Sequence, residues 1–149
     1  MKKLYYAALV YMVLGLAGGL YYRDLTKMKN FTGETQLSVV HTHFLVLGMV
    51  FFLIMILFER VFALSESRAF TWFFWVYNAG LALTATIMTV HGTMTVLGKE
   101  TGAAIAGIAG MGHILLTVAL VLFFVCLRGR LFPKDAAVRP GAEKSSAAA

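Results

Sequence analysis

Four long apolar runs restrict the folds that this chain can adopt. They cover about residues 4–22, 37–58, 70–97 and 103–127, and each is long enough for an α-helix to cross about 30 Å of hydrocarbon. Isolated strands would leave backbone N–H and C=O groups unpaired in lipid, and none of the runs alternates with a period of two. The sequence therefore predicts an all-α membrane protein with four transmembrane helices in an up-down bundle.

The composition excludes most soluble classes. Of the 149 residues, 60% are hydrophobic and only 13% are charged, which is too little charge to cover the surface of a soluble domain. The net charge of +6 comes from basic residues that flank the apolar runs and form no stripe, so we expect no nucleic-acid partner. Cys126 is the single cysteine, which leaves no intrachain disulfide and no C-x-x-C site.

The distribution of lysine and arginine predicts the orientation. An inside N-terminus places more basic residues in the cytoplasm, as the positive-inside rule requires. The inside set is Lys2, Lys3, Arg60, Arg68, Arg128, Arg130, Lys134, Arg139 and Lys144, and the outside set is Arg23, Lys27, Lys29 and Lys99. Both termini are then cytoplasmic. Residues 1–132 form the transmembrane domain, and residues 133–149, rich in alanine, serine and charge, are expected to be a disordered cytoplasmic tail.

Four histidines, His41, His43, His91 and His113, lie inside these apolar runs. An ionisable side chain at membrane depth needs a partner, and several imidazoles together favour a metal or a metallated cofactor. With the predicted topology, the four side chains lie on three helices, roughly 8 to 18 Å below the outer boundary. The sequence thus predicts a histidine constellation in the outer half of the membrane.

The spacing His41-Thr42-His43 separates the roles of its two histidines. Residues two apart on an α-helix differ by about 200°, so the two rings point to nearly opposite sides and cannot share one metal ion. The His41 side is a mixed face suited to the bundle interior, whereas the His43 side is uniformly apolar. We therefore expect protein or cofactor to cover His43.

Small residues lie near His91 and His113 in the sequence, and two interpretations of these small residues are possible. They permit close helix packing, or they make room for a flat macrocycle whose iron accepts axial imidazoles. Met88 and Met111 are candidate soft ligands for haem or copper, although membrane methionines more often serve packing. Candidate partners for haem propionates are Arg23, Lys27 and Lys29, with solvated loop charges as the alternative.

The motif around His41 and His43 resembles motifs of known haem and copper membrane proteins. His41-Thr42-His43, followed by the apolar run 44–49, resembles the H-x-H helix of the haem–copper oxidase main subunit and the histidine motifs of NnrS-type haem and copper membrane proteins. The chain over about residues 1–128, with Tyr21-Tyr22-Arg23-Asp24 and the run 31–36 before the second helix, is similar to a small bacterial four-helix family of unknown function.

The oxidase resemblance implies that His41 and His43 are axial ligands to two different haems. It also implies that one four-helix unit assembles as a homo-oligomer, with a homotrimer imitating the twelve-helix oxidase subunit. The adjacent histidine pair that holds copper in oxidases is absent, and no proline lies within a span to form the His-Pro-Glu-x-x-Tyr pattern. A binuclear copper site and proton-pumping oxygen reduction are therefore not expected.

The leading hypothesis is a b-type haem-binding protein of the bacterial cytoplasmic membrane. It would bind one or more haem b groups through His41, His43, His91 and His113, and would handle electrons from an unidentified donor or a small gas such as nitric oxide. If it is an enzyme, it is a haem-dependent oxidoreductase. The alternatives are a copper or zinc transport or sensing protein and a structural or assembly subunit without a cofactor.

Overall fold

The computed structural model describes residues 1–100 and 102–132, and over these it is entirely helical, without a strand. The four long helices are α1 (Lys2–Met28), α2 (Leu37–Phe62), α3 (Arg68–Val96) and α4 (Ala103–Leu131). All four are long and apolar enough to span a membrane, which confirms the all-α prediction and indicates a multi-pass membrane protein. The predicted tail at 133–149 lies outside the described residues.

The first helix extends well beyond its predicted end at residue 22. It stops where Asn30 adopts a left-handed conformation (φ 48°) and the Phe31 N–H donates to the Thr26 carbonyl at 2.9 Å, a Schellman-type end in which asparagine replaces the usual glycine. Arg23 and Lys27 are therefore helical residues. The prediction that they lie in a loop was wrong, because hydropathy measures suitability for lipid and falls before the helix ends.

The second helix is continuous but changes its winding. It is α-helical over Leu37–Thr42, π-helical over His43–Val50 and α-helical again over Phe51–Phe62. In a π-helix each N–H bonds five residues back, which widens the turn. The wide segment begins at one of the candidate histidines, so the regular spacing assumed from the sequence holds only up to that point.

Two contacts accompany the π-helical segment. The buried Gly48 lets the Tyr11 ring of α1 lie directly against the α2 backbone. The Tyr77 hydroxyl of α3 donates to the Leu47 carbonyl at 2.9 Å, so a side chain satisfies a main-chain acceptor inside the widened turns. The change in winding thus coincides with close contacts from both neighbouring helices.

Neighbouring helices run antiparallel, which gives the predicted up-down order. Gly15, Gly18 and Gly19 of α1 contact α2 around Val40, His41 and Leu45. These glycines serve close helix approach. Farther along the chain, Gly92 of α3 contacts Leu37 of α2, while Gly80 and Gly112 form close contacts between α3 and α4.

Aromatic side chains fill the half of the bundle that holds the start of α1 and the end of α4, which we call the aromatic end. Its buried rings are Tyr11, Phe52, Phe70, Phe73, Phe74, Tyr77 and Phe123. Phe51 stacks on Tyr77 with ring centroids 4.5 Å apart, and Phe58 of α2 meets Phe123 of α4 at 5.8 Å. The opposite half, toward the connections at 29–36 and 97–102, is called the histidine end.

Candidate functional site

His43 can be placed along the bundle from the contacts of α2 with α3. Leu37 touches Gly92, and His43 follows Leu37 by six positions. Because the two helices run antiparallel with a rise of 1.5 Å per residue, His43 is level with about residue 86 of α3. It therefore lies in the histidine end, below the connection between α1 and α2.

His113 occupies nearly the same level on α4. The residue before it, Gly112, contacts Thr84 of α3, so His113 is level with about residue 83 of that helix. The difference between His43 and His113 along the bundle axis is about 5 Å, which is less than one helical turn. Two histidines from different helices thus share one level.

The rings of His43 and His113 are held in the same way. Nδ1 of His43 lies 2.9 Å from the Val39 carbonyl, and Nδ1 of His113 lies 3.1 Å from the Ala109 carbonyl. Because a carbonyl oxygen only accepts hydrogen bonds, Nδ1 carries the proton in this arrangement and Nε2 keeps a lone pair. Histidines that bind metals have their second nitrogen oriented by such a partner.

Met88 of α3 lies between the helices that carry these two histidines. It is four residues from Thr84, which contacts α4, and four residues from Gly92, which contacts α2. Residues four apart lie on adjoining parts of a helix surface, so Met88 is on the strip of α3 between its two neighbours. His43, Met88 and His113 thus lie on three helices at about one level, and we call this region the histidine cleft.

The surroundings of the histidine cleft are apolar and open. Val39, Val46 and Val50 on α2 are 43%, 51% and 40% exposed, which agrees with the predicted uniformly apolar face around His43. On α4, a side chain added at Gly110 would meet nothing within 4 Å, and Gly110 lies three residues before His113. Apolar side chains therefore lie beside His43, and open space lies beside His113.

The other two histidines are arranged differently. His41 lies against Gly19 of α1, with its Nε2 3.4 Å from the Thr42 hydroxyl. Within residues 1–100 and 102–132, Nδ1 of His41 and Nδ1 of His91 are both buried without a hydrogen-bond partner. His41 and His43 thus face different surroundings, as their spacing predicts.

His91 faces α4 rather than α1. It lies seven residues after Thr84, on the same strip of α3, and Thr84 contacts Gly112 of α4. Its level is about 12 Å from that of His113 along the bundle. The structure therefore brings all four histidines into one half of the molecule, but His41 and His91 face different neighbours.

The described residues contain no group of three or more His, Cys, Asp or Glu side chains that could hold a metal ion. A copper or zinc site built from several converging histidines is thus not found within this part of the chain. Met88 is half-buried and Met111 is 56% exposed, and neither belongs to such a group. Their proposed roles as ligands remain predictions.

The three candidate propionate partners lie at the histidine end. Arg23 and Lys27 are exposed on the last turns of α1, and Lys29 is exposed just after it. The Tyr21 hydroxyl and the Thr93 hydroxyl are 3.1 Å apart at this end, linking α1 to α3. Arg23 and Lys27 therefore stand on a helix that is linked to α3, and the role of all three basic residues toward a cofactor remains a prediction.

Sequence reasoning missed Thr35, which positions two histidine-bearing helices. Its buried hydroxyl donates to the Gly92 carbonyl at 2.9 Å and accepts from the Leu37 N–H at 3.3 Å. It thereby locks the start of α2 to α3 next to His91. A threonine two residues before an apolar helix is a recognisable capping signal and was available in the sequence.

Comparison with protein families gives one match. The family described as "Protein of unknown function (DUF2871)" matches residues 1–130. The chain belongs to this family. No match was found among curated proteins or solved structures. DUF2871 membership agrees with the predicted similarity to a small family of unknown function. No similarity to haem–copper oxidases or NnrS-type proteins is shown, so the oxidase resemblance rests on the histidine motif.

Proposed function

We propose that this protein binds haem b in the membrane through His43 and His113 and transfers electrons. One observation carries the proposal: on two helices and at one level, each ring commits Nδ1 to a backbone carbonyl and keeps the Nε2 lone pair. Bis-histidine ligation between helices is an established way to hold haem in a bundle. Bound haem would supply one-electron redox chemistry.

The residues around the histidine cleft fit a flat macrocycle. Open space beside Gly110 admits the edge of a ring system, and exposed valines on α2 offer apolar contact. The carbonyls of Val39 and Ala109 fix the orientation of the two imidazoles. The chain's own contribution is therefore ligation, orientation and exclusion of water.

Two axial histidines favour electron transfer over gas handling. With both positions filled, a small gas would have to displace a ligand before it reached the iron. Arg23, Lys27 and Lys29 at the same end are the proposed partners of the propionates. The electron donor is a separate molecule.

The proposed setting is the bacterial cytoplasmic membrane, with both termini in the cytoplasm. This orientation follows from the distribution of lysine and arginine. The exposed apolar surface of α2 and the exposed His113 support a homo-oligomer in which another copy covers the histidine cleft, with the trimer as the arrangement that the oxidase resemblance favours.

The decisive experiment is an optical spectrum of the protein purified in detergent from haem-replete cells. Oxidised and dithionite-reduced samples should show sharp Soret and α bands, and carbon monoxide should leave the reduced spectrum unchanged. H43A and H113A should lose most of the haem, whereas H41A and H91A should retain it. Loss of haem only in H41A or H91A would contradict the assignment of ligands.

The same preparation separates the alternatives. Metal analysis that finds copper or zinc without porphyrin absorbance would support the metal hypothesis, and a colourless, metal-free protein would support a structural subunit. Co-expression of H43A with H113A distinguishes two forms of the proposed site. A site within one chain stays empty in that mixture, whereas a site shared by two copies is partly restored.

A further inference from the structure

A groove runs between α1 and α3, from the aromatic end to about the level of His43. It encloses about 630 Å³ and extends from Lys3 and Trp75 to Leu14 and Thr86. Leu14 follows Lys3 by eleven positions on α1, which corresponds to about 17 Å. The groove is thus long and narrow, with the proportions of a lipid acyl chain.

A single cation lies at the mouth of this groove. The Lys3 ammonium is 5.5 Å from the centre of the Phe74 ring and 6.0 Å from that of Phe70. Within residues 1–100 and 102–132, no carboxylate is at ion-pair distance from it. Tyr6 and Trp75 beside it are 59% and 64% exposed, and exposed tyrosine and tryptophan next to lysine are typical of the level of lipid headgroups.

The floor of the groove requires no polar ligand. The Tyr11 hydroxyl donates to Oδ1 of Asn78 at 2.8 Å, and Nδ2 of Asn78 donates to the Phe74 carbonyl at 2.6 Å. These polar groups satisfy one another, and the ring of Phe44 closes the floor beside them. An apolar chain therefore suits the groove better than a compound that must form hydrogen bonds halfway along it.

We propose that the groove binds one phospholipid with a net anionic headgroup. Its phosphate pairs with Lys3 at the mouth, and one acyl chain lies along the groove between α1 and α3. A zwitterionic headgroup carries an ammonium that Lys3 repels, so charge complementarity favours the anionic class. This inference depends on membrane insertion and not on haem.

The test uses the full-length protein reconstituted in vesicles of equal phosphatidylglycerol and phosphatidylcholine, re-extracted in mild detergent and analysed by native mass spectrometry. The wild type should retain one lipid per chain, with phosphatidylglycerol enriched about fivefold, the factor that one basic residue supplies. K3Q should lose this enrichment. K2Q is the matched control, because Lys2 is adjacent and exposed but does not line the groove, and it should keep the enrichment.

Two further variants test the acyl-chain site. A82F and T86F each place a large ring in the groove at an exposed position of α3, and each should abolish retention of both lipids. Absence of a retained lipid in the wild type, equal effects of K2Q and K3Q, or undiminished retention in the folded A82F or T86F protein would overturn the proposal. Helical content by circular dichroism establishes that each variant is folded.

Discussion

The two ends of this bundle use their interiors in opposite ways. At the aromatic end, rings pack on one another and the polar groups among them are paired, as with Tyr11 and Asn78. At the histidine end, glycines bring the helices together. In the part of the chain that the structure describes, the buried Nδ1 atoms of His41 and His91 have no hydrogen-bond partner. Close side-chain packing is thus concentrated in the aromatic end, and the unpaired buried histidine nitrogens are in the histidine end.

Under the proposed function, this contrast assigns stability to the aromatic end and haem binding to the histidine end. Apolar association in lipid depends on close packing, because the surrounding tails are as apolar as the side chains. Substitutions at the aromatic end should therefore reduce the free energy of unfolding while leaving the histidines in place. Substitutions of the histidines in the histidine cleft should abolish haem binding while leaving the free energy of unfolding of the haem-free protein nearly unchanged.

The largest expected effect on stability is that of F52A. Phe52 is fully buried and contacts the rings of Tyr11, Phe74 and Tyr77, so its removal leaves a cavity that costs about 3 kcal/mol. The free energy of unfolding is measured by titration with a denaturing detergent. L53A is the control, because Leu53 is 45% exposed. Equal losses for the two variants would show that the aromatic end does not dominate stability.

The next effect compares two glycines of α4. A methyl group added at Gly112 would clash with the hydroxyl and backbone of Thr84, whereas one at Gly107 would meet nothing within 4 Å. We expect G112A to cost about 2 kcal/mol through displacement of the helix contact. G107A should leave stability unchanged or raise it by up to about 1 kcal/mol, because alanine favours the helix. A destabilising G107A would show that this face is packed.

A smaller effect is expected for Y77F. The ring remains, but the Leu47 carbonyl loses its 2.9 Å hydrogen bond inside the π-helical segment, at a cost of about 1 kcal/mol. Y5F removes a hydroxyl from an exposed ring and serves as the control. The same unfolding titration measures both, and indistinguishable values would mean that this hydrogen bond does not stabilise the widened turns.

The smallest effect on stability is expected for H43A and H113A in haem-free protein. His43 is half-buried and His113 is exposed, so each variant should unfold within about 0.5 kcal/mol of the haem-free wild type. Addition of haem should stabilise only the wild type, because binding to the folded state alone shifts the unfolding equilibrium. Stabilisation of both variants by haem would move the binding site elsewhere.

The four helices were predictable from the sequence, but their ends and winding were not. The apolar runs located all four helices. The extension of α1 past Tyr22 depends on Asn30, a capping signal outside the apolar run. The π-helical segment depends on contacts from two other helices and leaves no periodicity that a single run would reveal.

The candidate site was predictable only in part. The histidines themselves stood out because ionisable groups are rare in apolar runs, and their placement in one half follows from the topology. Which rings share a level depends on the contacts of Gly92 and Gly112, and the sequence does not reveal these pairings. Asn78 was also overlooked, although a lone amide in an apolar helix is a signal of a buried hydrogen bond.

The π-helical segment of α2 determines how far Phe51–Phe62 is rotated about the helix axis relative to Leu37–Thr42. Each residue there advances the chain through a smaller rotation than in a regular helix, so everything from Phe51 onward is turned relative to His41. If His43–Val50 were a regular α-helix, the phenylalanines of Phe51–Phe62 would be rotated away from α3, while Leu37–Thr42 would keep its contacts with the glycines of α1. The segment therefore lets one helix present its histidines and its aromatic rings in independent directions.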